Sequence, residues 1–198
     1  MMSGAEVRRL RDGDGQEFMA RLKKTVVMVG MMGAGKTAVG TALARALAVP
    51  FLDSDEEIER AANRTIAEIF ARDGEPFFRE KESQVLTRLL KGTPCVLSTG
   101  GGAFMAEANR RMIREQGVSV WLKADLEVLW QRVRHKATRP LLRKPNPRET
   151  LRALLEARDP VYAQADLVVE SGEGTVEQMA VRVREALATR PDVLETDG

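Results

Sequence analysis

From Lys23 to Ala188 the chain alternates short apolar runs with longer stretches in which apolar residues recur every three or four positions. The runs Thr25–Val29, Phe51-Leu52, Cys95–Ser98, Val118–Leu122 and Leu167–Val169 predict five buried strands. The intervening period predicts helices at Lys36–Ala48, Asp55–Ala62, Ile66–Arg72, Pro76–Leu90, Ala106–Gln116, Leu126–Arg134, Pro147–Ala157 and Val176–Ala188. Thr65-Ile66-Ala67-Glu68 has the capping-box pattern at the start of the third. Strands that alternate with helices in this way predict an α/β fold, a five-stranded parallel sheet with helices on both faces.

The ends of the chain fall outside the pattern. Residues 1–22 show no clear period and contain Asp12-Gly13-Asp14-Gly15, which predicts a flexible extension with a short helix near Glu17 to Leu22. Residues 190–198 read as a frayed tail. The expectation is one domain over 23–189, and 198 residues suffice for one sizeable core but not comfortably for two.

Composition narrows the partners. With 31 basic and 29 acidic residues the net charge is only +2, which argues against a nucleic-acid-coating surface. A single cysteine, Cys95, excludes an internal disulfide framework, and its apolar neighbours Val96 and Leu97 mark it as a buried small residue rather than a nucleophile. No apolar stretch approaches the ~20 residues that span a bilayer. Arg8, Arg9, Arg11, Asp12 and Asp14 deny the N-terminus the apolar core of a signal peptide. The expected protein is a cytoplasmic monomer without nucleic-acid or membrane partners.

The most specific chemistry lies directly after the first strand. Gly30-Met31-Met32-Gly33-Ala34-Gly35-Lys36-Thr37 satisfies G-x-x-x-x-G-K-[ST], the phosphate-binding P-loop, and a helix follows it. Strand, loop and helix together aim backbone N–H groups and a helix N-terminus at one point that favours phosphate. Lys36 would reach the β- and γ-phosphates and the Thr37 hydroxyl would sit on Mg²⁺. The receiver of the phosphate is not specified by this loop.

Four further segments bear on the acceptor. In Asp53-Ser54-Asp55, after the second strand, residues two apart project to one side at the edge where ligands bind in open α/β sheets. Asp53 then suits a metal held through water, and Asp55 an acceptor hydroxyl to be bound and deprotonated; equally, Asp55 reads as an ordinary helix N-cap. Gly100-Gly101-Gly102, after the central apolar run, leaves backbone bare for a small polar ligand. Arg79 and Glu82 are three apart on one helix, so Glu82 either fixes a carboxylate-binding guanidinium or forms a plain surface ion pair. The basic, proline-punctuated segment from Arg132 to Pro147 has the length and charge of a lid over triphosphate, with Arg139 or Arg132 in the part of an arginine finger. His135, the only histidine, reads as exposed rather than catalytic.

Taken together, these segments resemble the shikimate kinases, nucleoside-monophosphate-kinase-like P-loop proteins, over about Lys24 to Leu187. The resemblance rests on Gly30–Thr37, on Asp53-Ser54-Asp55, on Phe78-Arg79-x-x-Glu82, on Gly100-Gly101-Gly102, on Arg139-Pro140-Leu141-Leu142 and on Arg158-Asp159-Pro160-Val161-Tyr162. It implies transfer of the ATP γ-phosphoryl group to the 3-hydroxyl of shikimate, with Mg²⁺ as cofactor and a mobile lid at about 133–147. It implies catalytic roles for Lys36, Asp55 and Arg139. Shikimate contacts would come from Asp55, Arg79, Gly100, Gly101, Gly102, Arg139 and Arg158. The nucleotide would meet Gly33, Ala34, Gly35, Lys36, Thr37, Ala38, Arg132 and Arg139, with Thr37 and, through water, Asp53 at the metal. Arg132 falls where the family has an adenine-stacking arginine, and a further adenine loop is expected near Ser171 to Thr175. Without the resemblance Arg158 reads as a helix C-terminal charge and Tyr162, the only tyrosine, as a packing residue. A gluconate-type kinase and a regulatory nucleotide switch are the rival functions. The first does not call for paired arginines beside Asp55 and the triplet, and the sequence offers no obvious switch segment for the second.

Overall fold

A computed structural model describes residues 8–11, 17–135, 145–172 and 174–196. Its strands are β1 (Arg8–Arg11), β2 (Glu17–Leu22), β3 (Thr25–Val29), β4 (Phe51–Asp53), β5 (Val96–Ser98), β6 (Gly117–Lys123), β7 (Leu167–Glu170) and β8 (Leu194–Thr196). The helices are α1 (Lys36–Ala46), α2 (Ser54–Ala62), α3 (Ile66–Leu90), α4 (Glu107–Gln116), α5 (Leu126–Val133), α6 (Pro147–Tyr162) and α7 (Val176–Ala188), with a 3₁₀ turn at Ala103–Met105.

Five strands form the expected parallel sheet in the order β4-β5-β3-β6-β7. All of β3 is buried, with Val26, Val27 and Met28 fully enclosed, and β6 is nearly so. Burial of both faces explains why these strands are unbroken apolar runs rather than alternating ones. The edge strands β4 and β7 are only partly covered. Helices α1 and α7 pack on each other, while α4 packs on α3 and β6. Because the five strands are parallel, all their carboxyl ends open on one edge of the sheet, where the P-loop, Asp53, Asp55 and the start of the glycine triplet line one cavity.

The terminal segments differ from expectation. Residues 17–22 are strand, not helix, and the supposed tail supplies β8; β1, β2 and β8 form a separate antiparallel sheet. Leu22 pairs with Leu194, and the Lys23 N–H donates to Val193 O at 2.7 Å. Val193 and Leu194 are buried, as are Ala20 and Leu22. The run Glu17-Phe18-Met19-Ala20-Arg21-Leu22 lacks a clean two-residue period, and the strand that pairs with it lies about 170 positions away, beyond any local pattern.

Two helix boundaries also shift. The helices expected at Ile66–Arg72 and Pro76–Leu90 follow one another in α3 across a break at Gly74, whose φ of 81° and ψ of 173° are not helical. Helix α6 passes Ala157 and Pro160 to end at Tyr162, so Arg158 lies within the helix rather than at its terminus. The fully buried Tyr162 ring, stacked between Phe104 and Trp121, anchors that last turn.

Candidate active site

The P-loop turns through Gly33 and Gly35 at φ 84° and 98°, the left-handed region that favours glycine, and delivers the chain into α1. That helix starts with no side-chain cap and no acidic residue in its first turn, leaving its leading N–H groups for an anion. They face a cavity of about 800 Å³, which Gly33, Ala34, Gly35, Lys36, Thr37 and Ala38 all line. The Lys36 ammonium donates to Gly30 O at 2.8 Å and Met31 O at 3.0 Å, so it lies over the loop.

Asp53 and Asp55 divide as their positions on the strand end dictate. Asp53, not Asp55, is the N-cap of α2: its Oδ1 accepts the Asp55 N–H at 2.9 Å. The capping alternative for Asp55 is thereby removed. Asp53 Oδ2 faces Thr37 Oγ1 at 3.4 Å, and Ser98 Oγ lies 3.5 Å from the same hydroxyl. Three oxygens gathered beside the phosphate cradle fit a hard cation such as Mg²⁺, which takes few protein ligands and keeps several waters.

Asp55 turns into the cavity with its Oδ1 buried and, among the described residues, without a hydrogen-bond partner. Burial, reinforced by Asp53 and Glu82 and opposed by Lys36, pushes its carboxyl up to about 6. Gly100 touches it: a Cβ there would fall 2.8 Å from Asp55 Oδ1.

The triplet itself is tied to neighbouring strands. Thr99 donates through N and Oγ1 to Met28 O on β3, and the Gly100 N–H reaches Ser54 Oγ at 3.4 Å. Gly100 and Gly101 line the larger cavity, whereas Gly102 lines a second one of about 400 Å³ together with Arg79, Glu82 and Arg158. Arg79 Nη1 donates to Glu82 Oε2 at 2.9 Å, and Glu82 is almost fully buried. Burial raises the Glu82 carboxyl against the lowering effect of Arg79. The pair is therefore part of a site wall and not the plain surface ion pair its spacing also allowed. From α6, Arg158 Nη1 donates to Gly101 O at 3.3 Å and the Tyr162 hydroxyl donates to the same oxygen at 2.5 Å. Tyr162 thus packs and bonds; burial pushes its phenol up to about 12, keeping it a donor.

Across the larger cavity Arg132 donates to Gly33 O, Ala34 O, Ser171 Oγ and Gly172 O at 3.1–3.3 Å. Ser171 Oγ in turn donates to Ala34 O at 2.8 Å. The P-loop, α5 and the segment after β7 therefore meet at one guanidinium. Arg139 and the middle of the expected lid lie outside the described residues. His135 is exposed and Cys95 buried, as expected.

The arrangement is a phosphate cradle separated from a two-arginine cavity by a glycine wall, with a carboxylate at the junction. The shikimate kinase sequence profile matches residues 32–188. The chain belongs to the shikimate kinase family. It is 89% identical over its whole length, and over the whole length of the relative, to a shikimate kinase of Cereibacter sphaeroides. A shikimate kinase of Ruegeria pomeroyi is 73% identical across 89% of this chain and 91% of its own. Among solved structures, a shikimate kinase from Acinetobacter baumannii in complex with shikimate superposes with a TM-score of 0.79 at 40% identity, covering 84% of this chain and 93% of that one. The protein is accordingly an ATP-dependent phosphotransferase of this family.

The structure adds Glu75 and Asn109 to the candidate site and gives Ser171 a defined contact there. Ser171 was legible only as part of a loosely matched loop, although a polar residue directly after an apolar strand was a signal. Glu75 stands four before Arg79, at ion-pair spacing, and bonds it. Asn109, buried on the wall of the smaller cavity, left no sequence signal.

Proposed function

We propose that this protein transfers the γ-phosphoryl group of ATP to the 3-hydroxyl of shikimate, giving shikimate 3-phosphate and ADP in the shikimate pathway of aromatic amino-acid biosynthesis. The observation that carries the reading is Asp55, without a partner at Oδ1 among the described residues, standing where the phosphate cradle meets the glycine wall of a cavity with two arginines. Arg79 and Arg158 suit the acceptor carboxylate, since a guanidinium fork takes two oxygens at once. Gly100, Gly101 and Gly102 let the ring approach the backbone closely, and Asp55 receives an acceptor hydroxyl.

On the donor side, Lys36 and the N–H groups of α1 hold the phosphates and meet the charge spread over the transferred group. Thr37 and, through water, Asp53 would hold Mg²⁺, which would supply neutralisation of phosphate charge. Asp53 offers it Oδ2, because Oδ1 is committed to the α2 cap. Asp55 takes the proton of the acceptor hydroxyl, and a carboxyl poised near 6 suits a base that works at neutral pH. Arg132 lies against the nucleotide and Arg139 closes over both substrates. The enzyme acts as a cytoplasmic monomer.

A coupled ADP-release assay against shikimate, quinate, gluconate and nucleoside monophosphates tests the reading. Shikimate alone is expected to stimulate release strongly, and only with Mg²⁺ present. Strong stimulation by gluconate or by a nucleoside monophosphate, or release indifferent to every acceptor, overturns it.

A further inference from the structure

The guanidinium of Arg79 has three sides, and each is taken. Glu82 Oε2 holds Nη1 at 2.9 Å from a buried position. Gly102 lies across the Nη1–Nη2 end: a Cβ on it would fall 2.5 Å from Nη1, 2.6 Å from Nη2 and 2.8 Å from Cζ. The two nitrogens are nearer than the carbon, so the glycine sits at that end and not over the flat face. The remaining side, Nε with Nη2, is occupied by one oxygen of Glu75, at 3.2 and 3.1 Å. Glu75 also lines the smaller cavity, so its carboxylate takes up the fork that an acceptor carboxylate would seek there.

Of the three neighbours only Glu75 is free to leave. Its side chain is 63% exposed against 2% for Glu82, and Gly102 is backbone fixed within the triplet. It also follows the break of α3 at Gly74 directly, and Pro76 behind it contributes no N–H to the helix. Glu75 therefore belongs to the first turn after a discontinuity, where rotation of one side chain or one turn disturbs little else. On the cavity wall the carboxylates of Glu75 and Glu82 balance the guanidinium charges of Arg79 and Arg158; withdrawal of Glu75 leaves a net positive site.

We propose that Glu75 is a resident carboxylate that holds Arg79 in place in the empty site and is exchanged for the carboxylate of the incoming acceptor. Glu75 is a positioning residue acting through Arg79. The exchange sets acceptor affinity below what the arginines alone would give and lets the product carboxylate be replaced on release. The inference rests on the acceptor reading above.

Glu75→Gln and Glu75→Asp, compared with the parent by calorimetric titration of shikimate and by steady-state kinetics, test it. Glu75→Gln is expected to lower the shikimate Kd and KM by about twofold, the scale of an exposed i,i+4 ion pair. KM for ATP stays where it was and Glu75→Asp falls between. A carbinol analogue of shikimate, with a hydroxymethyl group replacing the carboxylate, is expected to show no gain in kcat/KM in either variant. A residue that merely supports the helix would weaken binding when altered. An unchanged or raised shikimate Kd in Glu75→Gln, or an equal gain with the carbinol, overturns the proposal. Absence of shikimate-dependent ADP release in the parent would instead refute the acceptor assignment itself.

Discussion

Asp55 shows how a side chain of ordinary type acquires chemistry from its surroundings. Its carboxyl is raised to about 6 by burial and by Asp53 and Glu82. A base must be ionised, so kcat/KM for shikimate should fall as pH drops through about 6, and a pH–rate profile reads this directly. Asp55→Asn should lower kcat by ~10²-fold or more. The same shift has a stability consequence of opposite sign. A carboxyl whose pKa is higher folded than unfolded carries no penalty in acid; the penalty grows above the usual carboxylate value and is complete above about 6. Asp55→Asn should therefore gain on the order of 1–2 kcal/mol in urea unfolding at pH 8 and nothing near pH 3. At Gly102 the obstacle to a side chain is the movable guanidinium of Arg79 rather than backbone. Gly102→Ala should raise the shikimate KM by about tenfold or more by displacing that fork, with ATP binding intact by titration. By contrast, at Gly30 the obstacle is the main-chain oxygen of Leu122, 2.7 Å from an added Cβ, and the fold itself would suffer.

At the scale of elements, local pattern was a good guide where an element buries one face or two against the main sheet. The limits of β3 and α7 were legible to the residue, because an unbroken apolar run and a three-to-four-residue apolar period are both local signals. It failed where pairing joins distant segments. β2 and β8 read as extension and tail, since neither strand buries a face until the other arrives. Leu194 is nearly fully buried, so Leu194→Ala should cost about 2–4 kcal/mol in urea unfolding, whereas a frayed tail would lose almost nothing. The cap of α2 is a smaller instance: local sequence offered Asp55 as a cap, whereas the extended backbone of Asp53 gives that part to Asp53.

At the scale of the molecule, a parallel sheet gathers its loops at one edge, and segments more than 100 residues apart in sequence become one site. Arg132 illustrates the coupling, for it binds the P-loop carbonyls and the segment after β7 together. Arg132→Ala should raise the ATP KM by several-fold, about 1 kcal/mol, with little change for shikimate, and an initial-rate matrix in both substrates separates the two effects. The sequence by itself determined the α/β class, the phosphate cradle and the residue types available for an acceptor, because these follow from periodicity and from motifs only a few residues long. Only the tertiary structure decided which of those residues meet. It made Asp53 rather than Asp55 the cap of α2, set Gly102 against Arg79, brought Glu75 onto the same guanidinium and joined β2 to β8 in one sheet. Such contacts depend on distances between segments remote in sequence, which composition and local pattern do not encode.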